Sequence, residues 1–302
     1  MDRLDAMRLY TRVVERRSFT LAANDMEVPR STVTKVIADL ERRLGVRLLQ
    51  RTTRVVRPTL DGEAYYRRCL SILDDIEDAE GAFSGAAPRG MLRIEVQGTL
   101  ARHFLMPGFP DFLARYPHLE IAMSEGDRWV DLVTEGVDCV LRYGQLPDSD
   151  LVARQVAMLE RLTCATPEYL VRYGTPTDLA SLAGHRMVGI RAITAGNVTP
   201  LEFVDGDHVQ VLSLPCPLSV TGTESYLAGI RLGLGLAQVP RFHVEDDLRR
   251  GTLVEILHGL PPPSAPVSLL YPRSRQLSPR VRAFLDWAAA EFARRNARTS
   301  TQ

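Results

Sequence analysis

The 302 residues are 45% hydrophobic and 25% charged, with 37 basic and 37 acidic side chains, the balance of a globular chain long enough for two or more domains. Disordered, collagen-like and fibrous classes are excluded. Every long apolar run breaks within about a dozen residues, short of the ~20 that a membrane span needs. The start Met1-Asp2-Arg3-Leu4-Asp5 lacks the basic and apolar regions of an export signal, so a cytoplasmic protein with no membrane partner is expected. Cys69, Cys139, Cys164 and Cys216 lie far apart, and the six histidines form no ligand pair. They predict small buried hydrophobes rather than a disulfide framework, a metal site or a cofactor site.

The charge balance is polarised along the chain. Residues 1–60 hold 12 Arg and 1 Lys against 4 Asp and 3 Glu, a net +6, and the remaining 242 residues carry −6. A basic block on an acidic body predicts one end that meets a polyanion and another with different work.

Leu4, Met7, Tyr10, Val13 and Val14 space out a first helix, and Ser18 caps a short second one carrying Leu21, Ala22, Ala23 and Met26. Glu27-Val28-Pro29-Arg30 gives a tight turn. Over 31–45 the apolar residues Val33, Val36, Ile37, Leu40 and Leu44 share one helical face, while Ser31, Thr34, Lys35, Ala38 and Arg42 lie opposite, short enough to approach base edges. Residues 46–56 then alternate as a hairpin around Arg51-Thr52-Thr53-Arg54. Helix, turn, amphipathic helix and basic hairpin in register predict a winged helix-turn-helix that binds double-stranded DNA. The candidate DNA contacts are Thr20, Arg30, Ser31, Thr32, Thr34 and Lys35, with Arg51, Thr53 and Arg54 on the hairpin.

From Asp61 to about Ala87 no proline intervenes, and Tyr65, Cys69, Ile72, Ile76, Ala79 and Phe83 recur in steps of three and four. This predicts a helical rod of about 40 Å at ~1.5 Å per residue. Its seam reads as a dimerisation surface, with packing on its own chain as the alternative. Pro88-Arg89-Gly90 ends it. Beyond lies strand 91–96, an interrupted helix over 99–116, and further alternation at 119–123, 129–134 and 137–141, which favours a parallel sheet with flanking helices. A second α/β unit occupies about 162–266, with strands near 187–191, 209–214 and 234–239 and a helix from Thr223. Strand 267–271 and helix 279–297 return to the first unit. Two crossings make a hinged cleft, where a small molecule is expected. The candidate contacts for it are Gln97, Gly98, Thr99, Arg128, Trp129, Tyr143, Arg191, Thr221, Gly222 and Thr223, all at strand-to-helix turns on one rim. Each has a plainer competitor: Thr99 and Thr223 as N-caps, Trp129 as core, Arg128 and Arg191 as surface charge.

The N-terminal residues resemble the LysR-type bacterial transcriptional regulators. The matching blocks are Ser18-Phe19-Thr20-Leu21-Ala22-Ala23, then Ser31-Thr32-Val33-Thr34-Lys35-Val36-Ile37-Ala38-Asp39-Leu40-Glu41, then Leu44 to Arg54, ending Pro58-Thr59-Leu60-Asp61-Gly62. Pro29 departs from the serine usual there, and Leu49 from a phenylalanine. Weaker matches to the family's effector domain are Phe112 to Pro117, Asp131 to Asp138 and Gly229 to Pro240. The resemblance implies a multidomain α/β chain: a winged helix-turn-helix at 1–60, a linker and dimerisation helix at 61–87, and an effector-binding domain at 88–302. That domain is two-lobed like periplasmic binding proteins, lobe I spanning about 91–161 and 267–302 and lobe II about 162–266. The resemblance further implies a homotetramer, a partly palindromic promoter site, an unidentified small-molecule effector, and RNA polymerase as a further partner.

An enzyme reading finds no support. There is no P-loop, GxSxG or HExxH, and Gly233-Leu234-Gly235 lacks a third glycine. Asp74-Asp75 and Asp246-Asp247 are neighbours that point apart on a helix. No catalytic residue, metal ligand or cofactor is assigned. An architectural DNA binder is the other alternative, but about 200 residues of two-lobed body exceed what a scaffold requires.

Overall fold

Asp2 and Asp5 cap the first helix reciprocally: the Asp5 amide donates to Asp2 Oδ1 at 2.7 Å, and the Asp2 amide to Asp5 Oδ2 at 3.2 Å. The computed structural model describes residues 1–51, 56–84, 87–126, 132–146, 149–191, 196–273 and 277–299. Helix α1 (Arg3–Arg16) is followed by α2 (Phe19–Asp25) and α3 (Arg30–Leu44). Helix α3 starts at Arg30, one residue before the expected Ser31. Pro29 holds φ at −59°, and its carbonyl accepts from the Thr32 and Val33 amides at 2.9 and 3.2 Å, so the turn closes without a serine. Gly45, at φ 73°, ends the helix.

Strands β1 (Leu49–Arg51) and β2 (Val56–Pro58) form the expected antiparallel hairpin. Glu41 Oε1 anchors its base, accepting from the Leu48 and Leu49 amides at 2.8 and 3.0 Å. Leu9, Tyr10, Val13, Ile37 and Leu40 fill the core beneath. Helix α4 (Leu60–Ser84) then leaves this unit. The first part of its seam packs on its own chain: Cys69 is fully buried in the same core, and the Tyr65 ring lies 5.4 Å from Tyr10. Helix α1 lies against α4 and claims these positions before a second copy can.

The body opens with β3 (Gly90–Val96) and α5 (Gly98–Leu100). A π-helical turn, Ala101–Leu105, and a 3₁₀ turn, Met106–Gly108, lead into α6 (Phe109–Arg115). Then follow β4 (Leu119–Glu125), α7 (Leu132–Glu135), β5 (Cys139–Tyr143) and β6 (Leu151–Leu159), which completes the outward path of lobe I. Lobe II holds β7 (Arg161–Ala165), α8 (Pro167–Tyr173), β8 (Val188–Ile190), β9 (Leu201–Asp205), β10 (His208–Leu212), β11 (Leu218–Val220), α9 (Thr223–Arg231), β12 (Ala237–Pro240), α10 (Glu245–Arg250) and β13 (Val254–Ile256). Strand β14 (Ala265–Pro272) and helix α11 (Pro279–Thr299) return to lobe I.

The parallel sheet expected over 91–141 is present in β3, β4 and β5, and the strands near the crossings add antiparallel pairings to both lobes. In lobe I the order is β4-β3-β5-β14-β6, with β3 parallel to both neighbours and β14 antiparallel to β5 and β6. The reason is the crossing: β6 leaves for lobe II and β14 comes back beside it. In lobe II β7 pairs antiparallel with β12 and β13, β8 pairs parallel with β11, and a parallel bridge at Met187 and Leu236 sews the two sets together. The segment expected as a sheet strand near 209–214 is instead β10, half of an antiparallel ribbon with β9. Phe104, Phe112, Phe284 and Phe292 dominate the lobe I core, and Tyr226, Leu227 and Ile230 of α9 that of lobe II. Among the described residues no helix is long and apolar enough to cross a membrane.

Gly62 ties α4 to the N-terminal core. Its carbonyl accepts from the Tyr10 hydroxyl at 2.8 Å, and a Cβ there would lie 2.0 Å from the Leu48 carbonyl oxygen. Gly62→Ala therefore displaces backbone, and is expected to destabilise the N-terminal unit by about 1–3 kcal/mol. Faster amide exchange in α1 and α3 with lobe exchange unchanged is the expected result.

Candidate DNA interface and interlobe cleft

Helix α3 offers its N-terminal half to solvent. Arg30, Ser31 and Lys35 are exposed, Thr32 and Thr34 half-buried, and Thr20 of α2 is exposed alongside. Two of the four arginines of α1 are occupied: Arg12 pairs with Glu15 and Asp25, and Arg16 Nε lies 2.7 Å from Asp25. Arg42, at the far end of α3, pairs with Asp39. Arg30 and Lys35 have no ion pair among the described residues, so their charge is available to a polyanion. Pro29 adds no side-chain cap to α3, which leaves the amides and positive dipole end of a 15-residue helix facing the same way. The Thr34 hydroxyl donates to the Arg30 carbonyl at 3.1 Å, so its lone pairs, not its proton, face outward. Thr53 and Arg54 lie outside the described residues, and of Arg51 only the strand backbone is described.

The second site is a cleft of about 740 Å³ between the lobes. The structure brings six of the expected residues to it: Gln97, Thr99, Tyr143, Arg191, Thr221 and Thr223. Thr99 and Thr223 are not caps; the residues at those helix starts are Gln97 and Gly222, and neither makes a side-chain capping bond. Gly98 and Gly222 do not line the cleft. Gly98 packs against the Glu125 carboxylate, where a Cβ would come within 2.4 Å of Oε2. Arg128 and Trp129 lie outside the described residues.

Sequence reasoning missed the floor. Arg161, the first residue of lobe II, pairs with Glu202 Oε2 at 2.8 Å, its side chain only 13% exposed. Gln238 knits the surrounding strands: its Oε1 accepts from the Glu202 amide at 2.9 Å, and its Nε2 donates to the Glu202 carbonyl at 2.7 Å and the Thr163 hydroxyl at 3.2 Å. The Tyr143 amide donates to Gln97 Oε1 at 3.1 Å. Burial pushes the Tyr143 hydroxyl up to about 12 against the opposing pull of Arg161, so it remains a proton donor. Gln238 was visible as a lone polar residue in the apolar run 234–239; Arg161 carried no local signal.

The wall is Phe242 and His243. Burial, reinforced by His103, Arg102 and Arg231, pulls His243 down to about 3, and its Nδ1 has no hydrogen-bond partner among the described residues. Across the mouth, Arg102 of lobe I meets Glu224 Oε1 of α9 at 2.6 Å, both exposed. The arrangement can hold a small molecule with apolar contact on one side and fixed hydrogen-bonding groups on the other.

His243 makes stability depend on pH. Its folded value lies below the ordinary 6.5, so above that value neither state binds the proton. As pH falls toward 3 only the unfolded chain does, and stability is lost, by at most ~1.4 kcal/mol per pH unit. Urea unfolding of His243→Asn between pH 7 and 4 is expected to show a shallower loss than the parent; identical slopes contradict the assignment. His103 and His185 shift the same way and persist in both proteins.

Comparison with known proteins covers both domains. Residues 4–63 match the model of the bacterial regulatory helix-turn-helix protein, lysR family, and residues 85–293 that of the LysR substrate binding domain. The HTH-type transcriptional regulator YhjC of Escherichia coli is 37% identical over 96% of this chain and 97% of its own. An HTH-type transcriptional repressor of Pseudomonas aeruginosa is 35% identical over 97% of this chain and 93% of its own. The solved structure of CrgA, a LysR-type transcriptional regulator from Neisseria meningitidis, is 29% identical with a TM-score of 0.60, covering 95% of this chain and 98% of that one. With its winged helix-turn-helix, linker helix and two-lobed body, the chain belongs to the LysR family of DNA-binding transcriptional regulators and not to an enzyme family.

Proposed function

We propose that α3 reads a partly palindromic promoter site through Arg30, Ser31, Thr32, Thr34 and Lys35, supported by Thr20, and that the hairpin residues Arg51, Thr53 and Arg54 flank the phosphates. The observation that carries this reading is that Arg30 and Lys35, beside a helix start with no side-chain cap, have no ion pair among the described residues, whereas Arg12 and Arg16 of α1 are paired. Two copies joined along the remaining seam of α4 present two such helices to half-sites ~34 Å or a multiple apart. Assembly into a tetramer, action in the cytoplasm and contact with RNA polymerase belong to the same reading.

The cleft is the effector site in this proposal, with Thr99, Tyr143, Arg191, Thr221 and Thr223 around a small molecule over the Arg161–Glu202 floor. An effector that favours one lobe arrangement shifts the population of DNA-binding geometries, and a full reversal needs a differential affinity of ~5 kcal/mol.

Two measurements test the proposal. Against an oligonucleotide selected by the purified protein, Arg30→Ala is expected to weaken binding by ~1–3 kcal/mol and relax preference at one position. Lys35→Ala serves as the comparison, and equal losses for Arg30→Ala on selected and random DNA overturn the base-reading role. In the second, a metabolite panel is screened by thermal unfolding. A true effector at 100 times its Kd stabilises by ~2.7 kcal/mol and alters the footprint, and both effects are expected to weaken in Thr221→Trp, whose ring intrudes on the cleft.

A further inference from the structure

Phe242 belongs to both lobes. It follows β12 on a single 3₁₀ turn, Arg241–His243, in lobe II, and it lines the cleft. Its ring nonetheless packs onto the core of lobe I, edge-on to Phe104 and to His103 at 5.1 Å each. Phe104 stacks on Phe292 of α11 at 4.5 Å with an interplanar angle of 14°, both buried. Helix α11 packs against α4, and α4 carries Cys69 into the DNA-binding core. His103 and Phe104 sit on the π-helical turn Ala101–Leu105, a backbone form often found at functional sites and less settled than the α ladder. Close-packed rings pass displacement on, because the interior has little space to absorb it.

We propose that Phe242 is the positioning residue through which occupancy of the cleft is carried, by way of Phe104 and Phe292, to the linker helix α4 within one chain. It rests on the effector reading of the cleft only in requiring that the cleft be fillable. A filled cleft displaces the Phe242 ring, the aromatic contacts shift α11, and α4 changes its hold on the N-terminal unit. Spatial continuity is not coupling until perturbing the middle of the chain breaks it, and this sets the experiment.

The full-length protein is prepared as Cys216→Ser, removing the one cysteine that is not buried, with Thr221→Cys in the cleft. N-phenylmaleimide then serves as an artificial occupant, its attachment verified by mass. Labelling is expected to change amide exchange in α4 about threefold or more. In Phe242→Leu and in Phe104→Leu, each keeping an apolar side chain in the core, the label attaches as before but the response of α4 disappears. A purely structural role for either ring shifts exchange in the unlabelled protein and leaves the label-induced difference intact. The proposal is overturned if α4 responds undiminished in both variants, or if labelling moves α9 and leaves α4 unchanged in the parent. Neither result bears on whether a natural metabolite binds, which the panel screen decides separately.

Discussion

Each lobe's sheet is completed by a strand that the chain delivers on its way from the other lobe. In lobe I three parallel strands, β4, β3 and β5, are extended by β14, which arrives from lobe II; in lobe II β11, β8 and β12 are extended by β7, which arrives from lobe I. Neither crossing strand can be lost without opening a sheet, so the lobes are held by two straps embedded in both cores. Such a pair leaves rotation as the soft motion and forbids separation. The cleft lies between them, and its floor begins at Arg161, on the first turn of chain after one crossing.

The polar floor follows from that placement. Strand β12 carries Gln238 through an apolar layer, and its amide must be satisfied where water is scarce. It is satisfied by β9 and β7 together, so the ribbon β9–β10, which otherwise leaves most of β10 exposed, is fastened to the sheet beneath the cleft. Arg161 adds a charged link to the same ribbon through Glu202. Removing either partner of such a shielded pair strands the other charge, an effect of ~3–5 kcal/mol when burial is complete and less here, where Glu202 is partly open. The floor is therefore stiff, its polar groups oriented by the fold itself.

The N-terminal fold was readable because its signals are local and redundant: periodic apolar positions, a proline turn and a glycine stop agree over 60 residues. The exact start of α3 stays open in the sequence since Pro29 closes the turn with its backbone, which composition does not announce. Tyr65 and Cys69 of the linker were ambiguous for a different reason. A seam shows that a helix packs, not on what, and only the position of α1 decides. In the body, the strands and helices were largely visible, as was the parallel run of β3, β4 and β5, while the direction of β14 was not, because an antiparallel strand reads as just another apolar run. The rim residues of the cleft sit at strand ends and could be listed; the floor is assembled from positions 161, 202 and 238, whose proximity is a property of the crossing alone.

Two contacts join the lobes at the cleft, and their magnitudes differ. The Arg102–Glu224 pair spans its mouth at 2.6 Å, but the two side chains are 61% and 63% exposed, and ion pairs in that setting contribute ~0–1 kcal/mol and weaken with salt. Phe242 places an aromatic ring from lobe II against the buried Phe104 of lobe I. Withdrawing such a ring into water opposes opening by about 1.5–3 kcal/mol if its burial is lost in full, with a further contribution from the edge-on geometry. The exposed pair sets the register of the two lips, whereas the aromatic contact carries most of the resistance to opening. The residue that resists opening also lines the cleft, so its wall and the contact between the lobes share one side chain.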